Sequence, residues 1–226
     1  MKKYKYQMHM HSLPCSACSK ATPEELAGFL YEGGYNGGVV TNHFKGGNTG
    51  IDRKLPWKDF VKAYEKDYIA LKEAGEKLDL DFLFGIEQGV GGGKEILVYG
   101  ITPEILYNHP ELDTMNPEIW YKTLKQYDVL IYQAHPYRRR DYITDVGVMP
   151  DFIDGIEVYN ASNNIKNNME AEEYAQKHKE LLLISGGDAH SNYRLCNGGI
   201  ETASPIKTED DLKDILRRGA YNLITE

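Results

Sequence analysis

Short apolar runs alternate along the chain with stretches in which apolar residues recur every three or four positions. The first run, residues 4–10, predicts a strand. Thr22-Pro23-Glu24-Glu25 then predicts a helix start: Thr22 caps it, Pro23 takes the first helical position, and Glu25 completes a capping box. Leu26, Phe29 and Leu30 give that helix an apolar face, and Gly33-Gly34 ends it. Residues 38–41 predict a second strand. Phe60, Val61, Tyr64, Tyr68, Leu71 and Leu78 mark a long helix over residues 58–78. Residues 81–86 and 96–101 predict further strands. Gly91-Gly92-Gly93 lies between them and reads as a hairpin turn, since a strand and not a helix follows it. Thr102-Pro103 and Asn116-Pro117 predict helix starts. Residues 129–134, 155–159 and 181–185 predict buried strands, and Thr208 opens a last helix that ends in Arg217-Arg218-Gly219.

Strands alternating with helices predict an α/β domain with a mostly parallel sheet, closed or nearly closed into a barrel, as a single domain over residues 1–226. An open doubly wound sheet is the alternative, but no G-x-G-x-x-G follows the first strand. Hydrophobic residues make up 41% of the chain, enough for a core. The net charge of -8 argues against a nucleic-acid coat or an anionic membrane as partner, although bound divalent cations would reverse the field locally. No apolar run approaches the roughly 20 residues of a membrane span. Met1-Lys2-Lys3-Tyr4 shows no secretory signal. Cys15, Cys18 and Cys196 do not make a disulfide framework, so a cytoplasmic setting is expected. Nothing in the pattern sets an oligomeric state.

The polar residues change the picture. His9 and His11 end the first predicted strand, His43 follows the second, and Glu87 follows the third. His135, Asp188 and His190 also follow apolar runs, and Glu157 sits near the end of one. In a parallel barrel these ends open on one face, where active sites are built. One such histidine is usually a satisfied structural residue; several with acidic neighbours point to metal. His109 and His178, in a loop and on a polar helix, read as solvated. Imidazoles with carboxylates suit zinc, manganese or iron. His9 and His11 share a strand face by the two-residue period. Glu87 can bridge two ions. Paired ions about 3.5–4 Å apart activate water and stabilise both oxygens of a phosphate-ester displacement.

His9-Met10-His11-Ser12, Thr41-Asn42-His43, Gly85-Ile86-Glu87, Ala134-His135-Pro136-Tyr137-Arg138, Gly155-Ile156-Glu157-Val158-Tyr159-Asn160 and Gly187-Asp188-Ala189-His190 occur in one order. In that order they resemble the PHP (polymerase and histidinol phosphatase) family over residues 9–190. The resemblance implies a distorted seven-stranded (β/α)7 TIM-like barrel and a phosphoesterase site with two or three divalent transition metals. It implies His9, His11, Glu87 and Asp188 around one ion, Glu87 and His135 around a second, and His43 and His190 around a third. Glu87, Asp188 and His190 are the expected catalytic groups.

Three positions depart from the family pattern. Asn42 stands where an Asp is usual, and its amide is expected to orient His43 by a hydrogen bond. Leu13-Pro14-Cys15-Ser16-Ala17-Cys18 stands where a further Asp or His is common; either cysteine could coordinate, but a small buried cysteine is the favoured reading. No histidine occurs in Leu97-Val98-Tyr99-Gly100-Ile101-Thr102, after the fourth strand. Arg138-Arg139-Arg140 follows His135 and Arg194 follows His190; Arg138, Arg194 and Asn160 are the candidate substrate contacts, against the plainer reading of a solvated run. The expected activity is hydrolysis of a small phosphate ester by a metal-activated hydroxide. A nuclease and a non-catalytic metal-binding remnant are the alternatives. No Gly-x-Ser-x-Gly elbow supports acyl transfer.

Overall fold

A computed structural model describes residues 2–191 and 196–225. Its strands are β1 (Tyr4–Gln7), β2 (Gly37–Val40), β3 (Asp81–Gly89), β4 (Glu95–Tyr99), β5 (Leu130–Gln133), β6 (Gly155–Asn160), β7 (Leu182–Gly186), β8 (Gly199–Thr202) and β9 (Tyr221–Ile224). They form one sheet in the order β7-β6-β5-β4-β3-β2-β1-β8-β9. The runs β1-β2-β3 and β5-β6-β7 are parallel. Strand β4 is antiparallel to both neighbours, β8 to β1, and β9 to β8. The expected seven strands are therefore nine, and half of the pairings are antiparallel. The additions are four-residue strands near the chain end. None of the four residues of β9 is fully buried, so it carries no strong apolar alternation.

The ends of the sheet meet through side chains. Ser185 on β7 donates its hydroxyl to the Ile224 carbonyl and accepts the Gly199 N–H at 3.2 Å. The Tyr221 hydroxyl donates to the Leu183 carbonyl. The barrel is thus nearly closed.

Alternation sorts the strand residues into two cores. Leu83, Leu97, Tyr99, Tyr132 and Ile184 pack in the inner one, with Met8. Phe84, Ile86, Ile96, Val98, Ile131 and Ile156 face the outer helices. Those helices are α1 (Pro23–Glu32), α2 (Trp57–Glu76), α3 (Pro103–Asn108), α4 (Pro117–Leu124), α5 (Ile165–Lys177) and α6 (Glu209–Arg218). The Thr22 capping box is present, and Thr208 makes another with Asp211. The Gly91-Gly92-Gly93 turn joins β3 to β4, all three glycines having positive φ, a conformation that disfavours side chains.

Phe44 packs edge-on against Trp57, Phe60, Tyr64 and Trp120. Truncating such a buried ring to Ala costs about 3–5 kcal/mol. Its N–H donates to the Glu87 carbonyl at 2.7 Å, and the Glu87 N–H donates to the Asn42 carbonyl at 3.0 Å. Aromatic packing thereby holds the loop after β2 against the end of β3, and His43 against Glu87.

Candidate metal centre

Strand ends bring His9, His11, His43, Glu87, His135, Asp188 and His190 into one cluster. His9 Nε2 is 3.1 Å from Glu87 Oε1 and 3.5 Å from Asp188 Oδ1. His11 Nε2 is 3.1 Å from the same Asp188 oxygen and 3.4 Å from Glu87 Oε2. His43 Nδ1 lies 2.8 Å from Glu87 Oε2, and His135 Nε2 lies 3.2 Å from Glu87 Oε1. Glu87 thus meets four imidazoles, and both its oxygens are used. The backbone bends to aim two of these residues: His135 has φ 29° and Asp188 φ 47°. Non-glycine residues rarely adopt that region, and strain of this kind gathers at functional sites.

Hydrogen bonds on the far side of three rings set their tautomers. Glu157 Oε1 can only accept, so His9 donates from Nδ1 at 2.9 Å and turns an unprotonated Nε2 inward when neutral. The Ser16 hydroxyl donates to Asn42 Oδ1 at 2.7 Å. His11 Nδ1, 3.2 Å from that hydroxyl oxygen, is then its donor. His190 donates from Nδ1 to the Asp188 carbonyl at 3.0 Å. Outer partners fix metal-binding histidines in this way.

The cluster fits cations. His9 Nε2, His43 Nδ1, Glu87 Oε2 and Asp188 Oδ2 are buried yet make no hydrogen bond of acceptable geometry. Buried polar atoms are nearly always satisfied; Asp188 Oδ2 faces Arg138, and the other three converge without that compensation. Three donor sets have their atoms within 4.8 Å of one another: His9-His11-Asp188, His43-Glu87-Glu95 and His11-His43-His190.

Electrostatics follow from the packing. Burial would lower the His9 pKa, but the carboxylates of Glu157, Glu87 and Asp188 raise it well above the usual value. Burial would raise Glu87, but His9 and His43 hold it well below the carboxylate range. Asp188 is likewise pushed up by burial and held well below that range by Arg138, His9 and His11. Burial and the nearby His43 and His190 lower His11. Burial would raise Cys18, but its hydrogen bonds with His190 and His43 pull it down to about 6.

Glu95 belongs to the cluster and was not anticipated. It lies 3.3 Å from His135 Nε2 and 3.6 Å from His43 Nδ1. Strand β4 runs backwards, so its first residue rather than its last opens on the metal face. The period-two rule puts Glu95 on the inner side with Leu97 and Tyr99. The hairpin turn was the signal available for it. Asp67 was also missed, though it interrupts the apolar stripe of α2 between Tyr64 and Leu71. It accepts from Ser12 Oγ at 2.5 Å and Asn42 Nδ2 at 2.6 Å, and burial pushes its pKa up to about 6.

Other expectations need correction. The Asn42 amide makes no bond to His43; it holds the Ser12 N–H, Ser16 and Asp67. Asn160 is fully buried, and its amide is committed to Glu157 and Arg138, so it does not reach substrate. Arg194 lies outside the described residues. Arg139 pairs with Glu170 at the surface. His109 and His178 lie outside the cluster, but each has partners: His109 meets Glu111 and Tyr127, and His178 meets Glu180.

Arg138 lies at the centre's edge. Its Nη2 lies 2.5 Å from Asp188 Oδ2 and donates to Asn160 at 2.9 Å; Nε donates to Asn163 at 2.9 Å. Among the described residues Nη1 has no hydrogen-bond partner. A cavity of about 600 Å³ opens here, lined by His43, Glu87, Glu95, His135, Arg138, Asp188 and His190, with Arg53 and Lys94 at its wall.

No family model and no curated protein matches the chain. Solved structures do. A two-domain protein from Bacteroides vulgatus, described as containing a predicted PHP-like metal-dependent phosphoesterase, superposes with a TM-score of 0.71 at 14% identity. The match covers 100% of this chain and 65% of that one, so the chain spans just under two thirds of its length. PsfC from Pseudomonas syringae matches with a TM-score of 0.68 at 14% identity, over 100% of this chain and 93% of that one. A lesion-specific endonuclease from Pyrococcus furiosus matches at 0.63 and 15% identity, over 98% and 58%. The chain therefore has the TIM-like α/β fold that these solved structures share, the fold of the PHP-like metal-dependent phosphoesterases.

Proposed function

We propose that the chain is a metal-dependent phosphoesterase acting on a small phosphate ester. The observation that carries this is the convergence of His9, His11, His43, Glu87, His135, Asp188 and His190, with unsatisfied atoms turned toward one another. His9, His11, Glu87 and Asp188 would hold one ion. Glu87, Glu95 and His135 would hold a second, and His43 with His190 a third. Zinc, manganese and iron suit such donors. When bound, such ions supply Lewis acidity and a water acidic enough to act near neutral pH.

The chain's own residues do the rest. Glu157, Ser16 and the Asp188 carbonyl hold the rings so that lone pairs point inward. Asn160 and Asn163 hold the Arg138 guanidinium flat, and its Nη1 edge takes a phosphoryl oxygen. Arg53 and Lys94 on the cavity wall favour an anionic substrate in a chain of net charge -8. No described helix is long and apolar enough to cross a membrane, and three free cysteines suit a reducing compartment.

Turnover of a phosphate-ester panel, compared with manganese, zinc and iron and then after chelation, tests the reading. Hydrolysis that chelation abolishes is expected; hydrolysis that survives it rejects the mechanism. The likeness to the P. furiosus endonuclease favours a second reading, cleavage of nucleic acid. Oligonucleotide cutting without turnover of small esters would select it.

A further inference from the structure

We propose that Cys18 is a metal ligand, completing with His43 and His190 a thiolate–imidazole position that selects zinc at one end of the centre. This rests on the metal-dependent reading and adds to it a sulfur donor and a metal preference.

The three cysteines differ in place. Cys15 is buried in the outer core, and Cys196 packs against Gly33 under α1. Only Cys18, among the three, lines the cavity. Its Sγ is 3.0 Å from His190 Nε2. The His190 Nδ1 hydrogen is committed to a backbone carbonyl, so the neutral ring meets the sulfur with a lone pair. Such a lone pair facing a thiol sulfur is the arrangement in which a cation replaces the thiol proton and both atoms become donors. Zinc holds sulfur at about 2.3 Å and imidazole nitrogen at about 2.0–2.1 Å, which places tetrahedral neighbours roughly 3.5 Å apart. The pair needs to open by only about half an ångström to fit that spacing.

The neighbourhood points the same way. His11, His43 and His190 bring three imidazole nitrogens within 4.8 Å of one another with no carboxylate in the set. His43, 7% exposed, lies within hydrogen-bonding reach of Cys18, while its Nδ1 turns to Glu87 at 2.8 Å. Mutually facing imidazoles repel once protonated; a cation bound among neutral rings removes that repulsion. The opposite end contrasts: Glu87 and Glu95 face His135 and His43. Soft sulfur with imidazole favours zinc, whereas a carboxylate-rich set suits manganese. One centre would then hold unlike ions at its two ends.

Cobalt(II) reports sulfur ligation by a thiolate-to-metal charge-transfer band that nitrogen and oxygen donors do not give. Metal-stripped full-length protein, reconstituted with cobalt, should show that band. Cys18→Ser should lose the band and one bound ion while keeping the weaker ligand-field absorption of the remaining ions. Cys15→Ser and Cys196→Ser should keep the band. Zinc-edge absorption on zinc-loaded wild type needs no variant and should show sulfur scattering at about 2.3 Å. Cobalt bound without the band, a band that survives in Cys18→Ser, or a zinc edge without sulfur each overturns the proposal and leaves the hydrolase reading intact. A wild type that binds no cobalt at all overturns both.

Discussion

Strand β5 carries an ion cluster at each end, and both set carboxylates against basic side chains. Beyond its carboxyl end, His135 sits 4% exposed against Glu87 and Glu95. Before its amino end, Asp128 pairs with Arg217 and with Lys213 at 3.0 Å, and its side chain is 63% exposed. At the amino end every charge has an opposite partner and water besides. At the carboxyl end His9 Nε2, His43 Nδ1 and Glu87 Oε2 are buried without a hydrogen bond, and Glu87 is shared among four rings. Exposure decides what each cluster can do. A solvated ion pair is screened and worth little. A desolvated, unsatisfied one is costly unless something binds it, which is what a metal site requires.

The largest effect should come from Glu87. Glu87→Gln removes the one charge that touches His9, His11, His43 and His135 together. Metal content should fall, and activity should drop by more than the roughly 10–100-fold typical of losing an outer partner. Elemental analysis beside phosphate-ester turnover checks this. Full metal content in that variant would erase the contrast between the two ends of β5.

Next is Glu157, which touches the centre only through other groups. It accepts from His9 Nδ1, the His135 N–H at 2.9 Å and Asn160 at 2.8 Å. Glu157→Gln keeps an acceptor but loses the charge that holds His9. Metal affinity should weaken by about 10–100-fold. Competition with a chelator of known strength measures it, and an unchanged affinity would move Glu157 to the structural side of the comparison.

Arg138 should follow. One charge-assisted hydrogen bond is worth about 1.5–3 kcal/mol, or roughly ten- to a hundredfold in kcat/KM. Arg138→Ala should lose that factor, mainly through KM if ground and transition states are held alike. Arg138→Lys should not recover it, because an ammonium cannot span Asn160, Asn163 and Asp188 as the planar fork does. Steady-state kinetics decide this; a Lys variant at wild-type efficiency would reduce Arg138 to a point charge.

The residues that were legible in the sequence are those whose strand runs the expected way. His9, His11, His43, Glu87, His135 and Asp188 each follow an apolar run whose end opens on one face, so chain order and spatial convergence agree. Glu95 begins its strand, and only the reversal at the glycine turn brings it there. The stretch after β4 therefore lies at the end of the strand away from the metal face. The expected bond from Asn42 to His43 is not made: its partners Ser16 and Asp67 come from a loop and from the second helix, and no periodic pattern pairs such positions. β9 was missed because its edge position leaves its side chains partly exposed, weakening the alternation that marks a strand.

The smallest effect should be at Asp128, and it tests the comparison from its quiet side. Arg217 and Lys213 hold its carboxyl down at about 2, below the ordinary 3.8. A carboxylate with a depressed folded pKa adds stability that is complete above its unfolded value and is lost as pH falls through the folded one. Exposure discounts the amount to about 1 kcal/mol or less. For a chain of 226 residues that is about 2–4 °C in Tm at most. Asp128→Asn should therefore melt slightly below wild type from neutral pH down to about pH 4, and the gap should close between there and about pH 2. Added salt should shrink it by screening. Metal content and kcat/KM should match wild type, since the change lies at the opposite end of β5 from His135. A variant that lost metal or turnover would show that the two ends are coupled through the strand, and the division into a metal-binding end and a merely stabilising one would have to be abandoned.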